Sequence, residues 1–273
     1  MFRETLDRGV ATSGPTVGVM GYTSGYIELS HRHDYPLLRQ VLRCGFVAHS
    51  QLYEFMRLDN REHSRQSFNW RIRRLVTHHM VVRHTVQSFG RDFVYSIGPS
   101  GGERLRGMGE YGLFGRNNNE QLDREVNILH AVELNKIHLS LLNMYPQARW
   151  IPGSQVRSQN ELTDFGYAKD YDAVIVLRLA AGERRFALEY ERTAKARRNY
   201  VKIVRDLEAE KHVNQILYLA ANYDLLRFVQ RFFTEAHRPV YFGLVRDWHR
   251  LVLDMPVLGC HSSLPLPLHQ VLR

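Results

Sequence analysis

The chain has 273 residues, 44% of them hydrophobic, enough to fill one large core or two smaller ones. Lysine and arginine number 37 against 28 acids, a net charge of +9 with histidines neutral, which draws the molecule towards polyanions, nucleic acid first. The two cysteines, Cys44 and Cys260, lie in apolar surroundings without metal-ligand spacing, which argues against a disulfide framework or zinc site and fits a reducing cytoplasm. After Met1 the segment FRETLDRGVATSG has acids and no apolar run, so no signal peptide is expected, and no stretch approaches the roughly 18 apolar residues of a membrane span.

Residues 1–30 read as an N-terminal extension. In YPLLRQVLRCGF, the spacing of Leu37, Leu38, Val41 and Leu42 predicts a short core helix that ends at Gly45. SQLYEFMRL predicts a second helix, with Ser50 as N-cap and Leu52, Phe55 and Met56 turned inward. SRQSFNWRIRRLVTHH predicts a third from near Ser64, with Phe68, Ile72, Leu75 and Val76 inside and Arg65, Gln66, Asn69 and Arg73 outside. MVVRHTVQSFGRDFVYSI then reads as two short strands around a turn at Phe89-Gly90-Arg91.

Three short helices and a hairpin over 31–100 make a winged helix-turn-helix, whose third helix would enter the major groove of double-stranded DNA while the hairpin lies along the backbone. This segment holds 11 basic residues against 5 acids. Arg65, Gln66, Asn69, Arg73, Arg74, Arg83 and Arg91 are its candidate DNA contacts. Winged helices also mediate protein contacts, and a basic face can simply be solvated. The pairs His31 and His33, and His78 and His79, have no third ligand in view and read as surface or packing histidines.

Between Gly98 and Gly115 stand seven glycines, and residues 101–119 read as a linker between two halves. GMGEYG there formally matches a dinucleotide fingerprint, but no buried strand precedes it and no helix opens on its last glycine.

The second half, 120–255, begins with a long helix, QLDREVNILHAVELNKIHLSLLNMY, whose apolar positions are Val126, Leu129, Val132, Ile137 and Leu141. ARWIPGSQV, YDAVIVLRL and RRFALEYERT predict three strands, the last two joined by a turn at AAGE. RTAKARRNYVKIVRDLEAEK predicts a helix, QILYLAA a buried strand, DLLRFVQRFFTEA a helix and PVYFGLV a last strand. That order implies an α/β sandwich on a mixed sheet. The tail 256–273 lacks periodicity and reads as a docking segment for a protein partner or a second copy.

Side chains alternate along a strand, so Glu189 and Glu191 should share one face with Ala187, with Phe186, Leu188 and Tyr190 on the other. Asp172, where the preceding strand begins, should come level with them. Converging carboxylates repel unless a cation neutralises them, and oxygen ligands suit Mg²⁺ or Mn²⁺. Arg192, Lys195, Arg197 and Arg198 follow at a helix start, where cations oppose the macrodipole and point to an anion nearby, a DNA phosphate or the acids themselves. The alternative is that Glu189 and Glu191 form salt bridges with these cations on a half-exposed sheet face.

The order of elements with these acids resembles the PD-(D/E)xK nuclease superfamily. A winged helix followed by DAVIVLRL, a glycine turn and FALEYERT resembles the replication-relaxation family of plasmid and mobile-element proteins, from about Tyr35 to Leu251. The resemblance implies a restriction-endonuclease-like domain with Asp172 and Glu189 as the motif's acids. Glu191 stands in place of the motif's lysine, with Lys195 or Arg192 as the substitute cation, and Glu133, or Glu125, as the helix acid. It implies either metal-assisted phosphodiester hydrolysis, with Asp172, Glu189 and Glu191 around the ion, or a nuclease fold retained as an inactive DNA-binding regulator or assembly factor.

Overall fold

A computed structural model describes residues 27–90, 92–110, 121–179, 182–262 and 264–272. It is a mixed α/β protein, and the described residues form two sheets, one of three strands and one of seven.

The first unit follows the expected order. Helix α1 (Asp34–Cys44) buries Leu37, Leu38 and Val41 and stops at Gly45, whose φ of 67° suits a residue without a Cβ. A two-residue strand β1 (Val47–Ala48) leads into α2 (His49–Leu58), and α3 spans Arg65–Thr77. Ser50 is not the cap of α2 as expected. Ala48 is, with its N–H donating to the Gln51 side chain at 3.3 Å, and the Ser50 hydroxyl instead donates to Asp92 at 2.6 Å. Ser64 does cap α3, accepting from the N–H of Ser67. Strands β2 (Val81–His84) and β3 (Val94–Ile97) pair antiparallel, with β1 on the outer edge of β3. Phe68, Ile72 and Leu75 close a core with Leu52, Phe55, Met56 and Tyr95.

Residues 99–107, placed largely in a linker by their glycines, form helix α4 (Pro99–Gly107). The glycines serve close packing. A Cβ on Gly98 or Gly101 would lie 2.1 Å from the carbonyl oxygen of His79 or 2.2 Å from that of Met80, so α4 rests directly on the backbone before β2. The end of the GMGEYG match lies outside the described residues, as does Arg91.

Helix α5 (Gln121–Met144) joins the units rather than belonging to one. Ile128 and Val132 pack with Ala48, Val86 and Val94, Leu139 enters the first unit's core, and Ile137 and Leu141 enter the core on one face of the large sheet. Gln51 Nε2 donates to the Val132 carbonyl at 2.8 Å and Asn135 Nδ2 to that of Phe46 at 2.7 Å. Val126, expected inside, is exposed.

The large sheet comprises β4 (Arg149–Pro152), β5 (Ala173–Leu179), β6 (Gly182–Glu191), β7 (Gln215–Ala220), β8 (Val240–Leu244), β9 (Pro256–Gly259) and β10 (Leu266–Pro267), in spatial order β10-β9-β8-β7-β6-β5-β4. Only β6, β7 and β8 run parallel to one another; the other pairs are antiparallel. Helices α6 (Gly153–Leu162), α7 (Arg197–Glu208) and α8 (Tyr223–Gln230) interleave with the strands, and α9 (Val245–Leu251) follows β8. The first strand ends at Pro152, and GSQV, read as its continuation, starts α6. A Cβ on Gly153 would lie 2.8 Å from the Tyr171 carbonyl, so the chain turns there against the entry to β5.

The tail also differs from expectation. Residues 256–272 add β9, β10 and α10 (Leu268–Val271), and Val257, Leu268 and Leu272 are buried in the core that contains Trp248. The tail is thus part of this chain's own sheet and core, while Leu264 and Leu266 stay exposed. Among the described residues no helix is long and apolar enough to cross a membrane.

Candidate functional site

The β5–β6 register sets Ala173 opposite Leu188, which brings Asp172 level with Glu189. Along β6, Phe186, Leu188 and Tyr190 enter the core beneath α5 and α9, and Ala187 enters the opposite core, as the alternation requires. Asp172, Glu189, Glu191 and Lys195 therefore converge.

Each carboxylate meets a protein cation or donor. Lys169 Nζ lies 2.5 Å from Glu189 Oε1, and Lys195 Nζ donates to Glu191 Oε1 at 2.6 Å. Asp172 Oδ1 pairs with His130 Nε2 at 3.0 Å, and Oδ2 accepts the N–H of Tyr190 at 2.8 Å. The Glu189 and Glu191 side chains are almost wholly buried.

Burial raises Glu189 above the ordinary carboxylate range, with Lys169 opposing and Asp172 adding to the rise. Glu191 is raised by burial too, against the pull of Lys195. Burial works upward on Asp172 as well, but His130, the Tyr190 N–H and Lys169 outweigh it and hold the group low. Lys195 is lowered by its burial and raised more by Glu189, Glu191 and Asp172, so its ammonium is held firmly charged.

Glu133 does not join this group. Its carboxylate takes a bond from His249 on α9 at 2.7 Å, while His130, one turn earlier on α5, reaches Asp172. Glu125 is exposed and accepts from Ser88 at 3.1 Å. Arg192, Arg197 and Arg198 are exposed beside the cluster, but only Arg197 and Arg198 lie on the first turn of α7; Arg192 and Lys195 precede the helix, contrary to expectation.

Carboxylate oxygens are the right donors for Mg²⁺ or Mn²⁺. In this arrangement Lys169, Lys195 and His130 each stand against one oxygen of Glu189, Glu191 and Asp172, so a divalent ion would compete with protein cations for these donors. Among the described residues no group of three or more His, Cys, Asp or Glu side chains is set to hold a metal.

The second candidate surface is the outer side of α3. Arg65, Gln66 and Arg73 are exposed and Asn69 is half-buried. Arg65 lies over the Tyr53 ring and Arg83, on β2, over Phe93. Arg74 turns away: it pairs with buried Asp34 and lies over Trp70. Between α3 and the β2–β3 pair is a cavity of about 250 Å³ lined by His49, Asn69, Arg73, Arg83, Asp92 and Tyr95, among others. Of the histidine pairs, His31 stacks on Tyr35 and His33 bonds the Arg61 carbonyl at 2.6 Å.

No family model, curated protein or solved structure matches the chain. The residues that sequence reasoning missed are Lys169, three residues before Asp172 in AKDYD, and His130, one helical turn before Glu133. Both spacings are visible in the sequence, but their meaning depends on where α5 lies over the strand ends.

Proposed function

We propose that the chain is a double-stranded-DNA-binding protein of a plasmid or other mobile element, with a winged-helix unit that engages the duplex and a nuclease-like α/β unit behind it. The observation that carries this reading is the outer side of α3, where Arg65, Gln66 and Arg73 stand exposed beside Arg83 of the hairpin. Arginine and amide side chains supply the donors that base edges and phosphates accept. In the second unit, ammonium groups neutralise Glu189 and Glu191 from within, which favours a scaffold for DNA or protein contact over a metal-loaded centre. A mobility shift of labelled duplex tests the reading: the wild type retards the duplex and Arg65→Glu weakens it. Failure of the wild type to retard any duplex at low salt would remove it.

Phosphodiester hydrolysis with Mg²⁺ or Mn²⁺ is the second reading, favoured by the convergence of Asp172, Glu189 and Lys195 at one strand end. It requires Lys169 to withdraw from Glu189. Supercoiled plasmid incubated with either ion separates the two readings. Nicking by the wild type but not by Glu189→Ala establishes hydrolysis; an uncut plasmid with duplex binding intact leaves the scaffold.

A further inference from the structure

His49, Asn69 and Tyr95 form a directional chain on the inner wall of the cavity beside α3. The Tyr95 phenol lies 3.0 Å from His49 Nδ1, and His49 Nε2 lies 2.9 Å from Asn69 Oδ1. A phenol is a good donor and an imine nitrogen a good acceptor, so Tyr95 O–H donates to Nδ1 and leaves the imidazole proton on Nε2. That proton goes to the Asn69 carbonyl oxygen. Burial lowers the His49 pKa, which agrees with a neutral ring carrying a single N–H. The ring is also wedged edge-on against Phe68, 5.0 Å between centroids, so its orientation is fixed by packing.

With one lone pair of its oxygen committed to His49, Asn69, which lines the cavity, has its NH₂ group as the readier partner for a bound base. Arg73, one turn further along α3, and Arg83, from β2, line the same space and are donors without acceptors. Asp92 also lines it, but its oxygens accept from the N–H and hydroxyl of Ser50, at 3.3 and 2.6 Å. Its negative charge disfavours a phosphate group seated in the cavity. In the major groove, guanine alone presents two adjacent acceptors, O6 and N7, on one base.

We infer that this cavity reads a guanine edge in duplex DNA, with Asn69 and the two arginines as donors and His49 as the residue that sets the polarity of the Asn69 amide. The inference rests on the DNA-binding reading and adds the base that is read. Without His49, the Asn69 oxygen would be released and the amide could make the donor-plus-acceptor pair that matches adenine.

Selection from a random duplex library tests it, with thermal melts checking that each variant is folded. The wild type should enrich a guanine at one position, and Asn69→Ala should lose that enrichment and bind the selected site about tenfold more weakly. His49→Ala should admit adenine at the same position, a change in selectivity that a purely structural role would not produce. A wild type that binds duplex without base preference, or an Asn69→Ala variant that selects the same sequence, overturns the pocket and leaves DNA binding standing. A wild type that binds no duplex overturns both.

Discussion

His130 Nε2 lies 3.0 Å from Asp172 Oδ1, so the helix that packs against the N-terminal unit also holds the acid at the entrance to β5. The imidazole stacks on Tyr190, 5.5 Å between centroids, and the Tyr190 N–H donates to the other Asp172 oxygen. One contact thus links α5, β5 and β6.

This pair gives stability a defined pH window. Asp172 is held below its ordinary 3.8, so its contribution is present above that value and is lost as pH falls through the lower folded-state pKa. His130 is raised above 6.5 because the pull of Asp172 outweighs burial, so its contribution is full below 6.5 and is lost as pH rises through the folded-state pKa. His130→Ala should therefore cost most between 3.8 and 6.5. Both side chains are partly exposed, so the cost there is about 1 kcal/mol. Urea melts at about pH 5.5 and about pH 8.5 should show the gap between wild type and variant narrowing at the higher pH.

Lys195→Met would leave Glu191 buried without its cation. A broken buried pair costs about 3–5 kcal/mol, but Lys195 is 40% exposed and water moderates the loss, so about 1–2 kcal/mol is expected in a urea melt. Lys195→Arg, which keeps the charge, should recover most of it. An equal loss in both variants would mean that shape and not charge matters there.

The convergence of Asp172 with Glu189 and Glu191 was legible in the sequence because strand alternation and a hairpin register are local rules, and both hold here. The partners of those acids were not legible. Lys169 comes from the irregular segment before β5 and His130 from a helix some 40 residues upstream; each distance is closed by tertiary packing. The glycines of residues 98–107 misled for a related reason. Glycine permits both a flexible linker and a close helix-to-backbone contact, and only the neighbouring His79 and Met80 carbonyls decide between them. In the tail, short strands at a sheet edge and a single helical turn are too brief to leave a period.

Gly101→Ala tests that contact directly. Its Cβ would meet the Met80 oxygen at 2.2 Å, and overpacking against backbone should cost about 1–3 kcal/mol. Gly107→Ala, at the end of the same helix with nothing within 4 Å, should be neutral or stabilising by up to about 1 kcal/mol. Thermal melts should show Gly101→Ala lowered and Gly107→Ala unchanged or raised.

Arg74 and Arg65 lie on the same helix and should fail differently. Asp34 is fully buried and bonds both Arg71 and Arg74, while Arg71 also bonds buried Glu62. Arg74→Ala should lower stability by about 1–3 kcal/mol and leave the salt dependence of duplex binding as it was. Arg65→Ala should leave stability within about 0.5 kcal/mol of the wild type and change binding instead.

Fluorescence anisotropy of a labelled duplex over a salt series tests most directly the proposal that the basic outer side of α3 binds duplex DNA. The logarithm of the wild-type binding constant should fall linearly with the logarithm of salt concentration, and Arg65→Ala should reduce the slope by about one. Binding that ignores salt, or an identical slope in the variant, would contradict the claim.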